Sequence, residues 1–328
     1  MVVLTLLLFF IFLSALLYNK LKCFWCKSKV CLIGKTAIIT GGASGMGYET
    51  TLALASRGCR IIICDVTQNL MEVVEEIKKK TYNEQIIGKL IDLQSFKSVR
   101  SFANDILNSE NKLDILICNA GIGEYRRSQL TEDGLQRTMQ VNYFSHFLLT
   151  HLLLDLLKKS APSRIIFVGS LSAYFTYFNI DELNPGPKYF TKWYTKINGG
   201  IYSNSKQAIA AAAKNFGEKL QGTGVTANAV HPGIVKTKFI PVAINNDKNF
   251  IFGNIYTFLF YKFGHAPEEG VQTTIHLALS NEVQNISGRS FSQGRVIRHP
   301  LPITEKFCKE LWDATIGYTQ LKPNEISC

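Results

Sequence analysis

Apolar positions along the chain fall into two alternating periods. Short runs at Thr36–Thr40, Arg60–Cys64, Ile86–Ile91, Leu113–Cys118, Arg164–Val168 and Thr226–Val230 are rich in Ile and Val, and each is too short for a helix. Between them lie stretches with apolar residues three and four apart: 47–57, Leu70–Lys80, Phe96–Asn108, about Asp133 to Lys159, and about Tyr202 to Gln221. The spacing predicts strands alternating with helices, and so a doubly wound α/β fold: a mostly parallel sheet covered on both faces. A further short strand is expected near Ser290 and Phe291. No repeat or low-complexity block interrupts 34–300, which reads as one domain. Residues 301–328 read as a partly helical tail.

The first 18 residues break both periods. Val2 to Tyr18 carry no charge and, as a helix, would span roughly 25 Å, a little short of a ~30 Å hydrocarbon core. Lys20, Lys22, Lys27, Lys29 and Lys35 follow with no acid among them. No basic segment precedes the run and no small-x-small cleavage site follows it, which favours an uncleaved anchor over a signal peptide. Positive flanks stay cytosolic, so the expectation is an anchor in a thin membrane, such as the endoplasmic reticulum, with the domain facing the cytosol. Whether the helix spans or lies in the interface is left open. Residues 19–33 then form a basic linker holding Cys23, Cys26 and Cys31.

Composition narrows the chemistry. The 328 residues carry a formal charge of +11, but the lysines are scattered outside that linker. No basic stripe interleaves with stacking aromatics, so no nucleic-acid partner is expected. Cys23-x-x-Cys26 has no second such pair and no His pair nearby, so no metal is expected. A cytosolic domain keeps its eight cysteines reduced.

The first strand runs directly into Thr40-Gly41-Gly42-Ala43-Ser44-Gly45-Met46-Gly47 and then a helix. Glycines there permit the tight turn, backbone approach to a pyrophosphate, and close strand–helix packing, with the helix N-terminus facing the phosphates. Gly34-Lys35-Thr36 precedes its strand and so cannot be a phosphate loop. Asp65 ends the second strand about 20 residues on, where a carboxylate accepts both ribose hydroxyls of NAD and repels the 2′-phosphate of NADP. NAD is therefore the expected cofactor, with NADP second. Far downstream, Tyr202 and Lys206 are four apart on one helix face, about 5–6 Å at their Cβ atoms. The ammonium is expected to lower the phenol's pKa from near 10, making Tyr202 a general acid–base for an alcohol and its carbonyl.

Together these residues resemble the short-chain dehydrogenase/reductase family over about Gly34 to Pro300. The resemblance implies a dinucleotide turn at Thr40, Gly41, Ser44, Gly45, Met46 and Gly47. It implies adenine contacts at Asp92 and Leu93, and a cofactor wall at Asn119-Ala120-Gly121. It also implies a catalytic set of Asn142, Ser170, Tyr202 and Lys206. In that family Asn142 would bend its helix and hold a relay water, Ser170 would orient the substrate, and Lys206 would hold the nicotinamide ribose. Pro232, Gly233, Val235 and Thr237 would form the loop closing over the nicotinamide. His231 is then a loop histidine.

Within the family, the membrane-anchored retinol-dehydrogenase-like branch is the nearest resemblance. It is carried by the apolar N-terminus, the insert Leu171–Ile201, and the segment Asn142-Tyr143-Phe144-Ser145-His146-Phe147-Leu148-Leu149-Thr150. Asp65-Val66 departs from it, since many members place an arginine there for NADP. Phe250, Phe252, Tyr256, Phe258, Phe260, Tyr261 and Phe263 fall within an expected lid at 236–266. An apolar lid beside a membrane suits a lipophilic alcohol: a retinoid, sterol, polyprenol or fatty alcohol. Family members often dimerise, which makes a homodimer the assembly to look for. The competing class, a catalytically silent membrane-tethered adaptor or sensor, predicts a missing member of the catalytic set. A serine hydrolase would need a Gly-x-Ser-x-Gly elbow, and there is none.

Overall fold

A computed structural model of the chain describes residues 14, 17, 23–123, 129–176, 178–186, 200–236, 261–298 and 303–328. Eight strands form one sheet: β1 Thr36–Thr40, β2 Arg60–Asp65, β3 Ile86–Leu90, β4 Ile115–Cys118, β5 Ser163–Val168, β6 Val225–Val230, β7 Ser290–Ser292 and β8 Arg295–Ile297. Their spatial order is β3-β2-β1-β4-β5-β6-β7-β8, all parallel except the β7–β8 hairpin. The helices are α1 Gly45–Ala55, α2 Leu70–Thr81, α3 Phe96–Ser109, α4 Arg137–Met139, α5 Ser145–Lys159, α6 Gly200–Lys219, α7 Pro267–Gly270, α8 Gln272–Leu279 and α9 Glu305–Thr319.

The apolar strand runs are continuous because both sheet faces are covered. Successive side chains point to opposite faces, and the two cores divide accordingly. Ile38, Ile62, Leu116 and Ile165 enter one core with the faces of α3, α5, α6 and α9. Ala37, Ile39, Ile61, Ile63, Ile115, Ile117 and Ile166 enter the other with α1, α2 and α8. Truncating one such fully buried isoleucine to alanine costs about 2–5 kcal/mol. The order in which strands are added to the sheet reverses between the parallel neighbours β1 and β4, which places the crevice for a ligand at the carboxyl ends of these strands.

Three features depart from the sequence expectation. The long helix expected from about Asp133 begins instead at Arg137 and passes through a π-turn, Gln140–Phe144, before α5. β8 is set by Gln293 and Gly294, both at positive φ (50° and 70°), which reverse the chain as a two-residue hairpin turn does. The tail helix α9 belongs to the main core. Trp312 packs edge-on against Phe147 and Phe216 at 4.9 and 4.8 Å, and the Tyr143 hydroxyl meets that of Thr315 at 2.8 Å.

Residues 23–32 form no regular element, yet they lie along the domain. The Phe24 and Cys26 N–H groups donate to the side-chain oxygens of Gln293 (2.8 Å) and Gln272 (3.1 Å). Nearly all of the apolar N-terminal run falls outside the described residues; among those described, no helix is long and apolar enough to cross a membrane. All eight cysteines are free thiols, and burial raises the Cys59 and Cys118 thiols to about 12, as expected of packing residues.

Candidate active site

The crevice is built first by glycines. Gly41 and Gly45 have φ of +64° and +53°, a backbone that other residues rarely adopt. A Cβ on Gly47 would lie 2.0 Å from the Gly41 carbonyl oxygen, so only glycine lets α1 start against the strand end. Ser44 stands at the N-cap of α1, but its side chain makes no cap, which leaves first-turn N–H groups without that acceptor. Met46 gives its carbonyl to the Thr50 hydroxyl within that helix.

Asp65 faces the turn from the end of β2. Its carboxylate accepts from the N–H groups of Ala43 (3.2 Å), Val66 (2.8 Å) and Thr67 (3.2 Å). Asp92 caps the loop after β3, accepting from the Gln94 N–H at 2.8 Å, and Leu93 beside it is buried. The Asn119 side chain donates to the Thr40 carbonyl at 2.9 Å. Gly121 has no side chain where a Cβ would meet Asn142 Oδ1 at 3.3 Å and Lys206 Nζ at 3.4 Å. Turn geometry, uncapped amides, the placed carboxylate and this gap fit a dinucleotide running from Asp65 toward Lys206.

Four side chains close the far end. Asn142, in the π-turn, spends its amide on the neighbouring loop and on α6. Its oxygen accepts the Ile122 N–H (2.8 Å), and its nitrogen donates to the Ile122 carbonyl (3.0 Å) and the Ser205 hydroxyl (2.9 Å). Ser170 follows β5, accepts the Ser172 N–H at 3.2 Å, and its side chain is near enough to the Tyr202 phenol to favour the phenolate. Lys206 is buried and donates to the Val168 carbonyl at 2.8 Å, its Nζ lying 5.6 Å from the Tyr202 ring centre.

The electrostatics correct one sequence expectation. Burial pushes the Tyr202 phenol up to about 12, against a smaller downward pull from the Ser170 side chain. Burial also brings Lys206 down to about 8. A cation sheltered from water was expected to lower its neighbour; here desolvation dominates both groups and disfavours each charged form. The pair is therefore a neutral phenol beside an easily deprotonated amine.

In the loop expected to close over the nicotinamide, Pro232 is buried, Gly233 has φ +83°, and Val235 bridges His265 in parallel. The Lys236 N–H donates to the His265 carbonyl and the His265 N–H to the Ile234 carbonyl, both at 2.8 Å. This joins the two ends of the expected lid. Thr237 and the lid residues Phe250 to Phe260 lie outside the described residues. His231 is fully buried where Gly169 lacks a side chain, its ring 5.3 Å from that of Tyr174. Residues 35–180 match the short chain dehydrogenase family. Retinol dehydrogenase 13 of Mus musculus is 36% identical over 294 residues, covering 88% of this chain and 84% of that protein.

The chain belongs to the short-chain dehydrogenase family. The human retinol dehydrogenase 13 (37% over 296 residues, 88% and 85% covered) and the Bos taurus retinol dehydrogenase 12 (36% over 292 residues, 88% of each) agree. They place it in the retinol-dehydrogenase-like branch. Among solved structures, an uncharacterized protein from Mycobacterium paratuberculosis matches with TM-score 0.65 at 23% identity, over 91% of this chain and 98% of that one. A Shigella flexneri short chain dehydrogenase complexed with NADP matches at 0.63 and 20%, over 82% and 100%. These two speak for the fold. The chain is thus an oxidoreductase of the short-chain type, interconverting alcohols and carbonyls with a nicotinamide dinucleotide.

Proposed function

We propose that this dehydrogenase interconverts a lipophilic alcohol and its carbonyl, with Tyr202 as general acid–base and NAD as preferred cofactor. The observation that carries the reading is the buried Tyr202 phenol, influenced by the Ser170 side chain and lying with its ring centre 5.6 Å from Lys206 Nζ, at the carboxyl end of β5. The bound nicotinamide accepts or supplies the hydride. In the oxidative direction Tyr202 removes the hydroxyl proton; in the reductive direction it returns one to the carbonyl oxygen. Ser170 donates to the same oxygen as negative charge develops there. Lys206 is then recruited to stabilise the phenolate form, a role its lowered pKa makes sensitive to pH. Asn142 braces the loop carrying Gly121 and Ile122 against α6.

Asp65 supports NAD over NADP, because its carboxylate is fixed by three backbone donors and would meet a 2′-phosphate with like charge. A lipophilic substrate, delivered from an endoplasmic reticulum membrane that holds the N-terminal run, follows from the apolar 2–18 segment and the aromatic residues of 250–263. The test is a panel of retinoids, sterols, polyprenols and fatty alcohols given to enzyme in microsomes, with formation of reduced cofactor measured for NAD and NADP in parallel. Turnover confined to short hydrophilic alcohols would refute the substrate class. Equal or better efficiency with NADP would refute the cofactor preference.

A further inference from the structure

His146 lies one turn beyond Asn142 in α5, buried to 1% exposure and remote from solvent. Its ring nitrogens reach two different parts of the site. Nδ1 is 2.9 Å from the backbone carbonyl of Asn142, inside the π-turn. Nε2 is 2.9 Å from the hydroxyl of Thr40, the last residue of β1. We propose that His146 is a positioning residue of this enzyme: a neutral imidazole, protonated on Nδ1, that ties the cofactor turn to the π-turn carrying Asn142.

The hydrogen-bond chemistry fixes the tautomer. A carbonyl only accepts, so Nδ1 carries the proton, and in a neutral ring Nε2 must then accept. The Thr40 hydroxyl accordingly donates its one hydrogen to Nε2 at 2.9 Å, in preference to the Ile117 carbonyl at 3.4 Å. Its oxygen is left to accept the N–H groups of Asn119 (2.8 Å) and Ala120 (3.0 Å). A ring protonated on Nε2 would instead present a third donor to that oxygen. Deep burial and the nearby Lys206 cation both disfavour the charged ring.

The consequence concerns the loop 119–122, which forms the wall between the glycine turn and the catalytic side chains. Thr40 holds its first two N–H groups, while the Asn142 side chain holds both backbone groups of Ile122. His146 joins these two anchors. Gly121 sits between them, with its open side facing Asn142 and Lys206. Losing the imidazole frees the Thr40 hydroxyl to rotate and leaves a buried carbonyl without this donor, so the wall loses its register where the cofactor must lie. The inference rests on the proposed placement of the cofactor along this wall, so its test separates binding from turnover.

Reduced-cofactor fluorescence gives a dissociation constant without any alcohol being present. Full-length enzyme with His146→Leu is expected to bind NADH at least ten-fold more weakly than wild type. His146→Gln, whose amide offers one donor and one acceptor, is expected to recover most of that loss. Under turnover, the KM for cofactor rises in the leucine variant while the KM for alcohol stays unchanged. Unaltered binding in a folded leucine variant overturns the proposal. So does a fall in kcat with both KM values unchanged, which would mean only a smaller folded fraction. Should the leucine variant not accumulate, nitrogen NMR of 15N-histidine-labelled enzyme decides, with the His146 signals assigned by their loss in His146→Gln. An Nδ1–H tautomer at neutral pH supports the proposal; an Nε2–H tautomer overturns it. Should no alcohol on the panel be oxidised, the NADH titration and the tautomer still decide this proposal by themselves.

Discussion

The two ends of the crevice hold their charges in opposite ways. At the cofactor end, Asp65 is half-buried and surrounded by three backbone N–H groups, so its charge is stabilised by fixed dipoles. At the catalytic end, Lys206 and Tyr202 are both buried, and the amine donates to the Val168 carbonyl. One end fixes a charge with preorganised donors; the other disfavours charge by withholding water. Binding determinants and proton chemistry should therefore respond to different perturbations.

The largest effect belongs to the catalytic end. Tyr202→Phe removes the proton donor and acceptor but little volume. It should lower kcat by about 10²–10⁴-fold, the usual worth of a positioned acid–base, with the NADH dissociation constant held within about three-fold. Steady-state rates combined with fluorescence titration check both halves. Next come two glycines. Gly47→Ala forces a Cβ to 2.0 Å from backbone and should abolish cofactor binding or folding. Gly121→Ala meets only side-chain atoms at 3.3 and 3.4 Å. It should fold normally yet lose activity, which thermal melts and rates on both variants will separate.

Asp65→Asn keeps the shape and removes the charge. It should narrow the preference for NAD over NADP by roughly ten-fold or more, the scale of one charged hydrogen bond, without altering the KM for the alcohol.

The remaining effects are on stability against pH. Lys206 has a folded pKa near 8 and an unfolded value near 10.5, so over that window the unfolded state binds more protons. Stability of the cofactor-free protein should rise from pH 8 toward 10, by up to about 3 kcal/mol from this group, and Lys206→Met should flatten the rise. His146 and His151 are both lowered to about 4 by burial. The unfolded chain takes up their protons first, so stability should fall as pH drops from about 6.5 to 4, and His151→Phe should remove part of that fall. Denaturant titrations across pH measure both.

Much of the fold was legible because its signals are local. An isoleucine run such as 61–63 can be buried on both faces only in a covered parallel sheet, and the glycines after Thr40 need no partner to be read as a turn. Features requiring contact between distant segments were not legible. The packing of Trp312 against α5 and α6 depends on the tail folding back across the core. The two-residue reversal at Gln293-Gly294 was a readable signal for β8 that the strand patterning passed over. His146 appeared only within a matched segment, since its partner Thr40 lies 106 positions away. The Tyr202–Lys206 spacing correctly brought the two side chains to one helix face but implied the wrong direction for the phenol. Spacing reports proximity, whereas the pKa is decided by how much water the rest of the fold removes.

The central claim, that Tyr202 moves the proton while the cofactor end merely binds, is tested most directly by isotope transfer. Microsomal enzyme would be given NAD and the best lipophilic alcohol of the panel, deuterated at its carbinol carbon, and the reduced cofactor analysed by mass. The account predicts deuterium in the cofactor with wild-type enzyme, and almost none with Tyr202→Phe even when that variant is saturated with NAD. Deuterium transfer by the phenylalanine variant at the wild-type rate would contradict it.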